Sequence, residues 1–429
     1  MIDSFVNNCI QNKEKDAFRY IKGNKCINIT FEKLLQDVFR FCHLFKRKGL
    51  GANDKVIVFI LPSYELYTLM IASMMYGLNI IVIDSFNDKH RLNDMIELSK
   101  AKYLFINNKT NLLSIFLFKR LKKINISSYV NQESTEYNYS NNLNDIVLTT
   151  FTSGTTGKPK IINRSFSDLS KQISLLKGNF VFDNKEVIIC MLPIYVLFSL
   201  FNGNTTCIVK HINQKNIDLV KGNIILGKIS NILKIRERIL NVNKLYLGGA
   251  YIYKNEAIKI IECFKDAEIY YTYGASEGVA IGVNTLQDFY LHNRFKKVSG
   301  IDIEVIDKIN NVGEIVISGE SVLSDNKIHK TGDIGYCDEN YIYLLGRKKY
   351  SSLENNFYNY VKDQDARDKY NTDNAFTLWY KNKSYTFVKF DRKQIRMKPI
   401  DCIRVKKFTY DLKHKTKLDY SKLINKYLK

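Results

Sequence analysis

Residues 148–162 read "LTTFTSGTTGKPKII". Gly154, Gly157 and Pro159 cluster here, in a chain with only 21 glycines and four prolines among its 429 residues. The residues before the turn, "DIVLTTFTS", are β-branched and aromatic and predict a strand; those after it, "KIINRSFSDLSKQISLL", predict a short strand and then a helix. Ser165 followed three residues on by Asp168 marks the helix start as a capping pattern. Between the strands the chain is rich in glycine and hydroxyls. Glycine lets backbone N–H groups approach a ligand closely, and Ser, Thr and Lys side chains add donors for phosphate oxygens. The spacing is not that of the G-x-x-x-x-G-K-[ST] phosphate loop: Gly154 and Gly157 are too close together, and Lys158 is followed by Pro159. A nucleotide loop of another kind is expected.

The rest of the chain narrows the class. A length of 429 residues predicts two or three lobes, each long enough to bury a core. The composition, 45% hydrophobic and 25% charged, is that of a globular protein, and no periodic repeat suggests a solenoid. The longest apolar stretch, "VIVFILPSYELYTLMIASMMYG", is interrupted by Pro62, Ser63 and Glu65 and predicts a strand, a turn and a core helix, not a transmembrane segment. The start, "MIDSFVNNCIQNKEKDAF", lacks the basic and apolar regions of a signal peptide, so a cytoplasmic location is expected. Eight scattered cysteines with no CxxC pair give neither a disulfide framework nor a zinc pattern. The net charge of +22 would attract anionic partners. Its lysines are spread along the chain, and no nucleic-acid-binding motif accompanies the basic tail "RVKKFTYDLKHKTKLDYSKLINKYLK", so no nucleic-acid partner is expected.

"TSGTTGKPK" resembles the phosphate-binding signature of the AMP-forming acyl-activating enzymes, the adenylating superfamily of acyl-CoA synthetases, aryl-acid and fatty-acid AMP ligases, luciferases and nonribosomal-peptide adenylation domains. The resemblance implies that Thr152, Ser153, Gly154, Thr155, Thr156, Gly157, Lys158 and Lys160 cradle the phosphates of ATP, with Thr152 also in the catalytic set. "YYTYGASEG" at 270–278 resembles the family's Tyr-Gly-x-Thr-Glu segment, with Ser276 where Thr is usual. It implies nucleotide contacts from Tyr273, Gly274, Ala275 and Ser276 and a Mg²⁺-holding, catalytic Glu277. "HKTGDIGYCDENYIYLLGRKK" at 329–349 resembles the Thr-Gly-Asp segment and its Gly-Arg sequel. Asp333 is implied to accept from both ribose hydroxyls, a role suited to an acceptor-only carboxylate, and Arg347 to place a cation beside ribose and phosphate. "YLGGAYIYKNEAIKIIECF" resembles the Gly-Gly turn and helix that border the acyl pocket, with Gly249 and Ala250 in nucleotide contact. "HKTKLDYSKL" resembles the closing Gly-Lys-Ile/Leu motif, with Thr416 in place of glycine, and makes Lys417 the candidate catalytic lysine. "NITFEKLLQDVFRFCHLFKRKGLGANDKVIVFI", "YGLNIIVID" and "GEIVISG" extend the resemblance over most of the chain.

Two segments depart from the family pattern. In "MLPIYVLFSLFNG", 191–203, Val196 stands where a His or aromatic gate is usual. The segment also offers no Asp to an α-amino group, so an apolar or aryl acid is expected in place of an amino acid. After Arg347 only 82 residues remain, fewer than the family's small domain usually has. Lys349 occupies the expected hinge position, and "SSLENNFYNY" lacks glycines for a thiol tunnel.

The implied fold is α/β, with a large multi-subdomain N-terminal adenylating domain at 1–346 and a small, mobile α+β C-terminal domain at 347–429. The implied function is ATP- and Mg²⁺-dependent activation of a fatty or aryl carboxylic acid to an acyl-adenylate, followed by transfer to a thiol of CoA or of carrier-protein phosphopantetheine. An acidic acyl- or peptidyl-carrier protein is the expected macromolecular partner, and turnover with free CoA is expected to be poor. Two other classes stay open at this stage: a degenerate, non-catalytic nucleotide-binding member acting through a partner, and a basic RNA- or membrane-surface binder.

Overall fold

The computed structural model describes residues 1–83, 88–139, 142–153, 159–180, 182–324, 326–370, 372–389, 402–405, 408, 418 and 420–428. The chain divides into two compact units, Met1–Leu226 and Gly227–Lys429.

In the first unit a six-stranded sheet runs in the order Lys122–Asn125, Tyr103–Ile106, Lys55–Phe59, Asn79–Val82, Ile146–Ser153 and Pro159–Ser165. All neighbours are parallel except the last pair, an antiparallel ladder in which Thr152 faces Lys160 and Ser153 faces Pro159. The strand "KVIVF" is buried from Val56 to Phe59, the near-continuous apolar run of a strand covered on both faces. Ile57, Ile81, Leu104 and Phe151 from four of these strands share one core. The helix expected after Pro62 spans Tyr64–Tyr76 and is buried over most of its surface. Ser63 caps its start by accepting from the Leu66 N–H, and Gly77 ends it at φ +84°, where a left-handed residue closes a helix at least cost. The helix Phe166–Asn179 opens with the expected Ser165–Asp168 capping box. A second ladder in this unit pairs the residues from Ile224 with Val187–Cys190, then Thr205–Ile208, Asp16–Lys22 and Lys25–Thr30.

In the second unit eight strands lie side by side in the order Asp302–Ile309, Val312–Ser318, Ile328–Cys337, Tyr341–Arg347, Arg294–Lys297, Gly282–Thr285, Glu268–Tyr273 and Lys244–Gly248. They are antiparallel up to Glu268–Tyr273, which pairs in parallel with Lys244–Gly248. Beyond Arg347 come the helix Asn359–Lys369, the hairpin Ala375–Tyr380 and Lys383–Val388, the short strand Ile403–Arg404 and the helix Tyr420–Tyr427. Phe376, Leu378, Phe387 and Leu423 from these late elements share a core with Tyr253. All eight cysteines are free thiols. Among the described residues no helix is long and apolar enough to cross a membrane.

Candidate functional site

Asp333 and Arg347 sit opposite each other because two neighbouring strands put them there: their Cα atoms are register partners. A cross-strand pair is the closest side-chain neighbour a sheet offers. Arg347 Nη1 donates to Asp333 Oδ1 at 2.6 Å. The Tyr273 hydroxyl, from the strand Glu268–Tyr273, donates to Asp333 Oδ2 at 2.9 Å. The Asp333 N–H donates to Thr331 Oγ1, whose hydroxyl in turn donates to the Ile315 carbonyl. Asp333 is buried at 6% exposure, whereas the Arg347 side chain is 41% exposed. Burial, and then the adjacent Asp333 charge, push the Tyr273 phenol well above its usual range, so it remains a donor. The Asp333 carboxylate raises the Arg347 guanidinium further.

Each Asp333 oxygen therefore accepts one protein donor. A carboxylate has about four lone-pair sites, so about two remain. Two remaining acceptors on a nearly buried carboxylate suit a ligand that presents two adjacent hydroxyls.

The turn after Tyr273 carries the next group. Gly274 lets the chain reverse: a Cβ there would lie 1.9 Å from the Val279 carbonyl oxygen. The Val279 and Gly278 N–H groups bond back to the Ala275 carbonyl, and the Ile281 N–H to that of Tyr273. This places Glu277 in the turn, buried, with its Oε2 3.6 Å from His329 Nε2. Ala275 and Ser276 lie in the same turn, half-buried. Gly249, at φ +96°, and Ala250 follow the strand Lys244–Gly248. The Tyr271 hydroxyl donates to the Ala250 carbonyl at 2.7 Å.

One unit thus holds Gly249, Ala250, Tyr273 to Glu277, Asp333 and Arg347, and brings Tyr273, Asp333 and Arg347 into one bonded cluster. Lys160 is exposed on the strand Pro159–Ser165 of the other unit. Gly154, Thr155, Thr156, Gly157 and Lys158, the side chains of Thr152 and Ser153, and Lys417 lie outside the described residues. Val196 is fully buried in the helix Pro193–Phe201, and Lys349 is exposed in the short turn Lys348–Tyr350.

Sequence reading missed three groups around the cluster. His329 and Thr331 precede Asp333 at two-residue steps, and the exposed Ile328 and Lys330 alternate with them. That alternation was legible as one strand face. Asn359 was not: its Oδ1 accepts the Arg347 N–H at 2.7 Å, across a loop with no strand or helix periodicity. Gly346 makes room for it, since a Cβ there would lie 2.7 Å from that oxygen.

A family profile described as "AMP-binding enzyme" matches residues 5–224. Among curated proteins the chain is similar to the 2-succinylbenzoate–CoA ligase of Staphylococcus aureus strain MSSA476, 28% identical over 246 residues. The chain spans about half the length of the curated relatives it matches: the similarity covers 49% of this chain and 49% of that ligase. Among solved structures it is similar to O-succinylbenzoate coenzyme A synthetase (MenE) from Bacillus subtilis in complex with AMP, with a TM-score of 0.81, 15% identity and 96% of each chain covered. It is also similar to ATP-bound MatB from Rhodopseudomonas palustris, with a TM-score of 0.82, 16% identity and 99% of each chain covered. At these identities the structural likeness speaks for the fold, and the α/β fold expected from sequence is the one found.

Proposed function

The chain belongs to the AMP-binding enzyme family, and from that premise we propose that it activates a carboxylic acid with ATP. The substrate carboxylate oxygen attacks the α-phosphorus, the bond from that phosphorus to the bridging oxygen of pyrophosphate breaks, and acyl-adenylate and pyrophosphate form. The observation that most supports this reading is the nearly buried Asp333 carboxylate, held by Tyr273 and Arg347 with acceptor capacity left for two hydroxyls. That is the chemistry of a ribose diol. Arg347, partly exposed, keeps a cation beside the nucleotide.

Glu277 offers a hard carboxylate oxygen, and among the described residues no group of three or more His, Cys, Asp or Glu could hold a metal ion. This donor set fits Mg²⁺, which is commonly held by one or two carboxylates together with substrate phosphates. Glu277 would hold the ion, which when bound supplies positive charge to the phosphates. The protein's own share is to fix the nucleotide and line up the reacting groups, because charge builds on the transferring phosphoryl group and no strong base is required. The loop from Thr152 to Lys158, with Lys160, cradles the β- and γ-phosphates, Tyr273 to Ser276 with Gly249 and Ala250 border the nucleotide, and Lys417 bridges carboxylate and α-phosphate. These roles rest on the sequence resemblance. The same resemblance puts Lys417 in a C-terminal domain at 347–429.

The acyl group then passes to a thiol of CoA or of a carrier-protein phosphopantetheine. The acid is apolar or aryl: the helix Pro193–Phe201, "PIYVLFSLF", carries no charged residue and has Val196 fully buried, and an ammonium beside it would lack a carboxylate partner. The test is ATP-dependent pyrophosphate release across a panel of fatty acids, aryl acids and free amino acids. Stimulation by fatty or aryl acids but not by leucine or phenylalanine is expected; a leucine-dependent signal overturns the substrate class, and silence across the panel overturns the activity.

A further inference from the structure

The segment between Glu97 and Glu133 contains no carboxylate and seven Lys or Arg, Lys109, Lys119, Arg120, Lys122 and Lys123 among them. Within it lies a short helix, Asn111–Leu117, whose sequence is "NLLSIFL" and which buries only Ser114. Leu112, Leu113, Ile115 and Phe116 are 70%, 58%, 50% and 68% exposed. Sixteen large apolar side chains are exposed among the described residues, and four of them sit on this one helix. Single exposed apolar residues are ordinary, but a cluster of this kind on a folded protein marks a contact surface.

Among the described residues the basic groups of the neighbouring cleft make no ion pair. Arg47 and Lys48 at the end of the helix Phe31–Arg47, and Lys122 and Lys123 at the start of the edge strand Lys122–Asn125, line a cleft of about 580 Å³. Amide and hydroxyl groups of Asn108 and Ser128 join them. Lys123 Nζ donates to the Phe118 carbonyl and Lys122 lies over the Tyr103 ring. Among the described residues no carboxylate is within ion-pair distance of any of the four cations. The cleft therefore presents several positive charges and neutral hydrogen-bonding groups to solvent, and its lining residues Asn108, Lys122 and Lys123 flank the apolar helix in the chain.

We propose that the helix Asn111–Leu117 and the basic cleft whose lining flanks it in the chain form a docking surface for an anionic lipid bilayer. Leu112, Leu113, Ile115 and Phe116 enter the boundary between headgroups and acyl chains, while Lys119, Arg120, Lys122 and Lys123 meet the lipid phosphates. Exposed apolar side chains on a segment that carries cations and no carboxylate are what a negatively charged interface selects, because burial of the apolar groups and attraction of the cations add. An acidic protein would match the charge, and a second copy of this chain would match the apolar helix. An anionic bilayer matches both at once, with hydrocarbon for the apolar helix and phosphates for the cations. The inference does not rest on the adenylation reading.

The test is co-sedimentation of the whole protein with vesicles of phosphatidylcholine alone or of phosphatidylcholine with phosphatidylglycerol. Binding to the anionic vesicles is expected to be at least about tenfold tighter than to neutral ones and to weaken steeply as salt is raised. The double substitution Leu112→Ser with Phe116→Ser, and separately Lys122→Glu with Lys123→Glu, should each weaken it about tenfold or more. All four positions are at the surface or partly so, and unchanged thermal melting shows that each variant is folded. Equal sedimentation with both vesicle types, or variants that bind as wild type does, overturns the proposal. So does a wild type that ignores vesicles while Leu112→Ser with Phe116→Ser disrupts a dimer, which would assign the helix to self-association.

Discussion

Two aspartates in the second unit are each surrounded by tyrosine and arginine, and they are built for opposite ends. Asp333 takes its arginine directly, Nη1 to Oδ1 at 2.6 Å, and keeps that arginine partly open to solvent. Asp363, in the helix Asn359–Lys369, is completely buried. Tyr253 and Tyr420 donate their hydroxyls to its Oδ2, and the Thr377 N–H and hydroxyl donate to its Oδ1. Its neighbour Arg367, itself 1% exposed, lies over the Tyr253 ring at 3.6 Å and reaches Glu256 Oε1 at 3.6 Å. Every acceptor position of Asp363 is spent inside the fold, whereas Asp333 retains capacity for a ligand. The same residue types thus leave spare acceptor capacity where two neighbouring strands hold a carboxylate with only two side-chain donors, and make a structural clamp where a helix is closed over it.

The sharpest way to break this contrast is Asp333→Ala. Loss of two charge-assisted hydrogen bonds to a ribose, roughly 1.5 to 3 kcal/mol each, should raise the ATP KM and cut kcat/KM for pyrophosphate release by about a hundredfold or more. Unchanged ATP kinetics in folded protein would refute the ribose assignment. Arg367→Met should act on stability. It removes the buried guanidinium that lies over Tyr253 and leaves the half-buried Glu256 without its cation; a fully buried pair costs about 3 to 5 kcal/mol to break, so a loss of about 2 kcal/mol or more is expected, readable as a lowered urea midpoint. A midpoint like that of wild type would remove Arg367 from the clamp.

The third comparison is with pH. Burial pushes the Asp363 carboxyl up from 3.8 to about 6, against the lowering effects of Tyr253, the Thr377 N–H and Arg367. The folded protein then holds this proton more tightly than the unfolded chain does. The stabilisation is fully present below about pH 4 and is lost as pH rises through about 6, a change of about 3 kcal/mol. Relative to Asp363→Asn, which cannot titrate, wild type should gain stability as pH falls from 7 to 5 in paired urea titrations. Parallel pH profiles would show that the site does not titrate there. The smallest effect belongs to the exposed pair of Lys259 with Asp373: Lys259→Ala should change stability by about 0.5 kcal/mol or less, and a larger loss would extend the clamp to the surface.

The family resemblance named Tyr273, Gly274, Glu277, Asp333 and Arg347 one by one, without saying how they meet. Asp333 and Arg347, 14 residues apart, become partners because the strands Ile328–Cys337 and Tyr341–Arg347 form a hairpin. The Asp363 cluster was not legible, because Tyr253, Asp363, Thr377 and Tyr420 come from four elements as much as 167 residues apart in the chain, and no period or motif joins them. The helix Asn111–Leu117 escaped notice for the opposite reason: "NLLSIFLFKRLKK" reads as an ordinary apolar element, and only solvent exposure shows that its leucines and phenylalanine face outward.

The sequence alone determined what short-range chemistry can specify: the strands Ile146–Ser153 and Pro159–Ser165 and the helix Phe166–Asn179, the capping box at Ser165 and Asp168, and the carboxylates, hydroxyls and cations of a nucleotide-handling family. Tertiary structure decided how each of those groups is satisfied. Whether an aspartate keeps spare acceptors, whether an arginine meets a carboxylate or an aromatic ring, and whether a leucine is core or surface depend on which distant elements pack over it. Packing is a property of the closed fold, since burial and the loss of water that comes with it arise only when segments far apart in the chain meet.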